Sequence, residues 1–167
     1  MNPSPLLVIG VGNGARRDDG VGLAVARRLA ALQTDGIACA ECDGDALWLL
    51  DLWRDHPFVI VVDAMRSGAE PGSIRRFGTD DVAQPPCTAL HSSHAYGIFD
   101  AVRLAAALGE SPRQLVLYGV EADDTGYGDT LTPDVAAAVE PLVRRILLEH
   151  ALATYGAATP PAAPTRT

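Results

Sequence analysis

Two hydrophobic patterns alternate along the chain. Unbroken apolar runs, "PLLVIGVG" (5–12), "FVIVVDAM" (58–65) and "QLVLYGVEA" (114–122), read as strands covered on both faces, and "GIACAEC" (36–42) reads as a further strand. Between them the period lengthens. From Gly20 onward Val21, Val25, Leu29 and Leu32 form a helical stripe, and "DALWLLDLW" (45–53) predicts a second helix whose Leu47, Leu50, Leu52, Trp48 and Trp53 are core candidates. Ile98, Val102, Ala105 and Leu108 share one face of a helix over 94–108. "TPDVAAAVEPLVRRILLEHAL" (132–152) closes the series, with Thr132 as N-cap, Pro133 at the first helical position and Pro141 expected to bend the middle. Within "RSGAEPGSIRRF" (66–77), E-P-G-S reads as a turn leading into a short edge strand.

Strands alternating with helices predict an α/β fold: a three-layer α/β/α sandwich around a mostly parallel, twisted sheet of about five strands with one antiparallel edge strand. One domain over residues 1–155 is expected, followed by a Pro/Ala-rich tail, 156–167, whose lack of apolar periodicity predicts disorder.

Charge narrows the range of functions. A net charge of −8 argues against a phosphate-backbone ligand, whose affinity rests on clustered Lys and Arg, so no nucleic-acid partner is expected. The start "MNPSPLLVIGVG" lacks a basic stretch followed by an apolar run, and no run approaches the ~20 residues that span a bilayer, so a cytoplasmic protein without a membrane partner is expected. Three cysteines do not make a secreted disulfide framework. Cys39 and Cys42 spell C-x-x-C, but on a strand an odd offset sends the two side chains to opposite faces, against both a disulfide and a shared metal.

In open α/β sheets functional residues gather at the carboxyl ends of strands. Three polar clusters fall there: Asp18 and Asp19 after the first strand, Asp63 at the end of "FVIVVDA", and His91 and His94 in "HSSHAYG". Gly10, Gly12 and Ala15 also fit G-x-G-x-x-A, a pattern of dinucleotide-binding loops. Against a phosphate, Asn13 to Asp19 separate the glycines from the helix, and Asp18 and Asp19 would stand as anions at its N-terminus. Arg16 and Arg17 are expected to face solvent. Two carboxylates and an imidazole make a mixed O/N set for a borderline divalent metal such as nickel or zinc, with open positions for water or substrate, the arrangement of metal-assisted hydrolysis. No G-x-S-x-G elbow accompanies Ser92 and Ser93, and nothing near Cys87 in "QPPCTAL" would lower its pKa, so serine and thiol catalysis are disfavoured. Tyr96, Tyr118 and Tyr127 are candidates to line a substrate cleft, with no catalytic role assigned.

Taken in order, "GVGN", "RDDGVG", "DGDALWLLDLW", "IVVDAMRSGAEPG", "SSHAYG", "LYGVE" and "LTP" resemble the hydrogenase maturation proteases, endopeptidases that trim the C-terminal extension of the nickel–iron hydrogenase large subunit. The resemblance runs from Leu6 to about Leu148. It implies a nickel-sensing site made by Asp19, Asp63 and His94, which serve as both the metal-ligating and the catalytic set, with His91 outside the matched position. Asp19 is one methylene shorter than the Glu of some members, and "DGDALW" looks like the subtype associated with soluble cytoplasmic hydrogenases. The implied enzyme is a nickel-sensing, aspartic-type endopeptidase. Its cofactor is nickel carried by the substrate, the same donors admitting other divalent metals, and its partner is the large-subunit precursor, met as a monomer. Two alternatives use the same residues: a non-catalytic nickel-binding maturation chaperone, and a Rossmann-like nucleotide-binding module.

Overall fold

The computed structural model describes residues 6–83 and 95–156. The expected disordered tail therefore lies outside the described residues, apart from Gly156, which closes the last helix. Five strands, β1 (Leu6–Val11), β2 (Ile37–Cys42), β3 (Phe58–Met65), β4 (Ile74–Phe77) and β5 (Gln114–Glu121), form one sheet in the order β2-β1-β3-β5-β4. β1 pairs in parallel with β2 and β3, β3 pairs in parallel with β5, and β4 runs antiparallel along β5. The three unbroken apolar runs are the three inner strands, where both faces are covered; β2, at one edge, is only half-buried.

Five helices cover the sheet: α1 (Val21–Leu32), α2 (Ala46–Trp53), α3 (Thr79–Ala83), α4 (Ala95–Leu108) and α5 (Pro133–Gly156). Side-chain alternation along each strand divides the core in two. Leu6 and Val8, Ile60 and Val62, and Val116 and Val120 pack under α1 and α5. Their neighbours Leu7 and Ile9, Val59 and Val61, and Leu115 and Leu117 pack under Leu49, Leu50 and Trp53 of α2 and Ile98, Ala101 and Ala105 of α4. Cys39 joins the first layer and Cys42 the second, so the C-x-x-C pair straddles the sheet. Burial pushes both thiols above their ordinary range, as befits small core residues rather than nucleophiles.

The helix stripes hold in their centres and fray at their ends. Val21, Val25 and Leu29 are buried, whereas Leu32 and Leu108, at the last positions of α1 and α4, are exposed. In α2 the register differs from expectation: Leu49, Leu50 and Trp53 face inward while Leu47 and Trp48, in the first turn, are exposed. Asp45 sets that start, its side chain accepting from the Trp48 N–H at 2.9 Å. α5 continues through Pro141. Among the described residues no helix is long and apolar enough to cross a membrane.

One consequence of the strand order positions the site. The chain leaves β1 over one face through α1 to reach β2, then returns over the other face through α2 to reach β3 on the far side of β1. The crossovers part between β1 and β3, and the cleft of a doubly wound sheet opens beyond the carboxyl ends of those two strands.

Candidate functional site

At that parting, β1 ends in Gly10–Val11–Gly12 and the chain turns through a 3₁₀ segment, Arg17–Gly20, into α1. The glycines are there for contact. A Cβ on Gly10 would lie 2.2 Å from the Gly22 carbonyl oxygen, and one on Gly22 would lie 2.3 Å from the carbonyl oxygens of both Val11 and Val62. The first turn of α1 therefore rests directly on β1 and β3, backbone against backbone. Gly12 adopts φ +150° and leaves no room for a Cβ, which would sit 1.9 Å from the Asp19 carbonyl oxygen. The G-x-G spacing thus seats a helix and fixes the backbone of Asp19.

Asp18 and Asp19 are adjacent, both buried, and differently employed. The Asp18 carboxylate accepts from the backbone N–H groups of Asp123 (3.0 Å), Asp124 (2.9 Å) and Thr132 (2.7 Å), and from the Thr132 hydroxyl. It is an internal latch that ties the turn after β1 to the 122–132 loop between β5 and α5. This refines two expectations. Asp18, one of the two acids of the cluster after β1, is engaged as a loop latch, and Thr132, which stands before Pro133 at the start of α5 as expected, turns its hydroxyl to that latch as well as occupying the N-cap position. Further ties run alongside: the Arg17 N–H donates to the Gly128 carbonyl (2.9 Å), the Gly128 N–H to Ala15 (3.0 Å), and the Arg16 guanidinium to Thr125 (3.2 Å). Arg17 also pairs with Asp124 at 2.5 Å, so neither arginine simply faces solvent. The Gly126 N–H and Arg17 together hold the Asp124 carboxyl below the ordinary range.

Asp63 lies in β3 between Val61 and Met65, on the sheet face covered by α2 and α4. It is 4 % exposed, as is Asp19, and one of its oxygens accepts from the Ala64 N–H at 2.9 Å, which orients the carboxylate. The turn that carries Asp19 packs on β3 at this end, because Gly22 sits on Val62, the residue before Asp63. The structure thus brings Asp19 and Asp63 to adjoining strand ends across the switch point, as the sequence predicts. α4 begins on the Asp63 face, with Gly97 so close to the loop after β2 that a Cβ would lie 1.8 Å from the Gly44 carbonyl oxygen. His94, His91, Ser92, Ser93 and Cys87 lie outside the described residues.

Glu121 was not among the candidates, although it carries the same signal as Asp63: an acid closing an apolar strand. It is 3 % exposed and accepts from the Ser67 N–H (2.8 Å), the Ser67 hydroxyl (2.8 Å) and the Gly68 N–H (2.9 Å), pinning the loop that follows β3. The tyrosines separate. Tyr118 is buried in the α5 layer with its hydroxyl donated to Glu149, away from any cleft, while Tyr127 stands on the 122–132 loop almost wholly in solvent. Two buried carboxylates at one sheet edge can supply oxygen donors to a divalent cation or a base to a water proton, and either property serves hydrolysis.

Residues 45–149 match the family described as hydrogenase maturation protease. The chain belongs to the hydrogenase maturation protease family. Along its sequence this family member is 32 % identical over 159 residues to the hydrogenase expression/formation protein HupD of Thiocapsa roseopersicina, spanning 90 % of this chain and 69 % of that protein. It is 26 % identical over 144 residues to the hydrogenase 2 maturation protease of Escherichia coli, covering 85 % and 88 % of the two chains. Among solved structures, the NiFe hydrogenase maturation protease HybD from Thermococcus kodakarensis superposes with a TM-score of 0.76 at 25 % identity, over 86 % of this chain and 97 % of that one. The hydrogenase maturating endopeptidase HybD from E. coli superposes with a TM-score of 0.72 at 27 % identity, over 90 % and 93 %. The maturation protease family is one of endopeptidases, so the chemistry to be explained is peptide hydrolysis.

Proposed function

We propose that this protease removes the C-terminal extension of a nickel–iron hydrogenase large-subunit precursor once nickel has been inserted, using the precursor's own nickel as the feature it recognises. In this reading Asp19, Asp63 and His94 complete the coordination of that nickel. Docking then places the scissile bond where a water, activated by the metal or by an aspartate, attacks the carbonyl. The reaction takes place in the cytoplasm with the protease as a monomer. What supports the reading is the placement of two buried carboxylates, Asp19 and Asp63, at the parting of β1 and β3 in a chain of this family. Such acids, taken out of bulk water, bind a cation far more strongly than exposed ones do.

The test is the intact mass of a nickel-loaded and a nickel-free large-subunit precursor after incubation with the protein. Loss of a C-terminal peptide from the nickel-loaded sample alone is the expected result. Equal cleavage of both would remove nickel sensing from the proposal, and cleavage of neither would overturn it.

A further inference from the structure

The 122–132 loop is tied to the turn after β1 through Asp123, Asp124, Thr125, Gly128 and Thr132, and it displays the most exposed large hydrophobic side chain of the described residues. Tyr127 is 96 % exposed. A single exposed apolar side chain is ordinary on a protein surface; the support beneath this one is what distinguishes it. Asp18 grips the loop at Asp123, Asp124 and Thr132. Gly128, immediately after the tyrosine, exchanges backbone hydrogen bonds with Ala15 and Arg17, and its φ of +153° is one that a side chain would resist. Gly126, immediately before it, donates to the Asp124 carboxylate at 2.7 Å. The ring is thus held away from the protein by a backbone that is not free to fold it back.

The anchoring also fixes where the ring is. Gly128 is bonded to Arg17, two residues before Asp19, so with about 3.8 Å between successive Cα atoms the Cα of Tyr127 lies within about 15 Å of that of Asp19. A protein substrate that engages Asp19 has this ring within the span of its own contact surface. Tyrosine on a rigid support is well suited to such contact, because it offers a large amphipathic face and loses little conformational freedom on binding. From these observations we propose that Tyr127 is a docking residue for the precursor, packing its ring against an apolar patch of the precursor's surface beside the bond to be cut. The inference rests on the function proposed above.

The experiment measures steady-state cleavage of the nickel-loaded precursor by the wild type, Tyr127→Ala, Tyr127→Phe and, as a control for loss of any exposed apolar group, Leu152→Ala on α5. In parallel, the affinity for uncut precursor is measured in an Asp63→Asn background with and without Tyr127→Ala. Loss of one aromatic anchor is expected to raise KM and the dissociation constant about tenfold with kcat retained, Phe restoring both and Leu152→Ala changing neither. An unchanged KM in Tyr127→Ala, with cleavage intact, overturns the docking role and leaves the proposed function standing. Absence of cleavage by the wild type with Tyr127-dependent binding overturns the proposed function and keeps the docking role. Binding that is indifferent to Tyr127→Ala, or undetectable while Tyr127→Ala leaves the KM of the cleaving enzyme unchanged, overturns the docking role.

Discussion

Asp18 and Glu121, on one side, and Asp63, on the other, are all buried acids at the carboxyl edge, and burial does not tell them apart: they are 0 %, 3 % and 4 % exposed. Their donors do. Asp18 collects three backbone N–H groups and a hydroxyl from a loop more than a hundred residues away, and Glu121 collects two N–H groups and a hydroxyl from the loop after β3. Both hold loops in place. Asp63 accepts from the N–H of its own neighbour Ala64 and stands beside the turn that carries Asp19, where the function proposed above gives it the reacting role. In the proposed function a strand-end acid thus has two uses, and the acids that grip give the reacting one a fixed frame.

Substitutions separate the two uses. Asp63→Asn should cause the largest change, cutting precursor processing by more than about 100-fold while the unfolding midpoint in denaturant stays near that of the wild type. Large instability in this variant would place Asp63 with the gripping acids. Asp18→Ala should do the reverse in kind, leaving the N–H groups of Asp123, Asp124 and Thr132 without their acceptor and lowering the unfolding free energy by about 3 kcal/mol, read from urea titration. An Asp18→Ala protein of undiminished stability would show that the latch is not needed to hold the loop. Glu121→Gln keeps the shape and part of the accepting capacity, so a smaller loss, about 1 kcal/mol, is expected by the same titration.

The smallest effect concerns a gripping acid far from the edge. Burial pushes Glu149 up, but hydrogen bonds from Arg76 and Tyr118 outweigh it and leave the carboxyl below its ordinary range. Tyr118 in turn is pushed from 10.0 up to about 12, first by burial and then by Glu149. Since the folded state favours the protonated phenol, its contribution is fully present below pH 10 and is lost as pH rises toward 12. Tyr118→Phe should therefore flatten the alkaline limb of the stability profile in that window; an unchanged limb would mean that the pair titrates alike in folded and unfolded chains.

Much of this was legible in the sequence because it depends on local pattern. Apolar runs gave away the inner strands, and the alternation of strands with helices implied the switch point, hence the placement of Asp63 and of the turn after β1 at the carboxyl edge. The division of labour between Asp18 and Asp19 was hidden, because the two are identical in type and adjacent, and the partners of Asp18 lie at 123, 124 and 132. Glu121 was missed for a related reason: its signal equals that of Asp63, and only the fold shows the Ser67 loop closing over it. The short α3 and the outward turn of Leu47 and Trp48 follow from tertiary context over-riding a weak local preference.

The ties of the 122–132 loop are spaced so that its tip is separable from its footing. Asp123, Asp124, Thr125, Gly128 and Thr132 meet the β1 turn, whereas among the described residues Tyr127 and residues 129–131 make no hydrogen bond to it. Such a layout behaves as a cassette: the tip is free to carry different side chains without disturbing the footing, which holds the Asp19 turn in place.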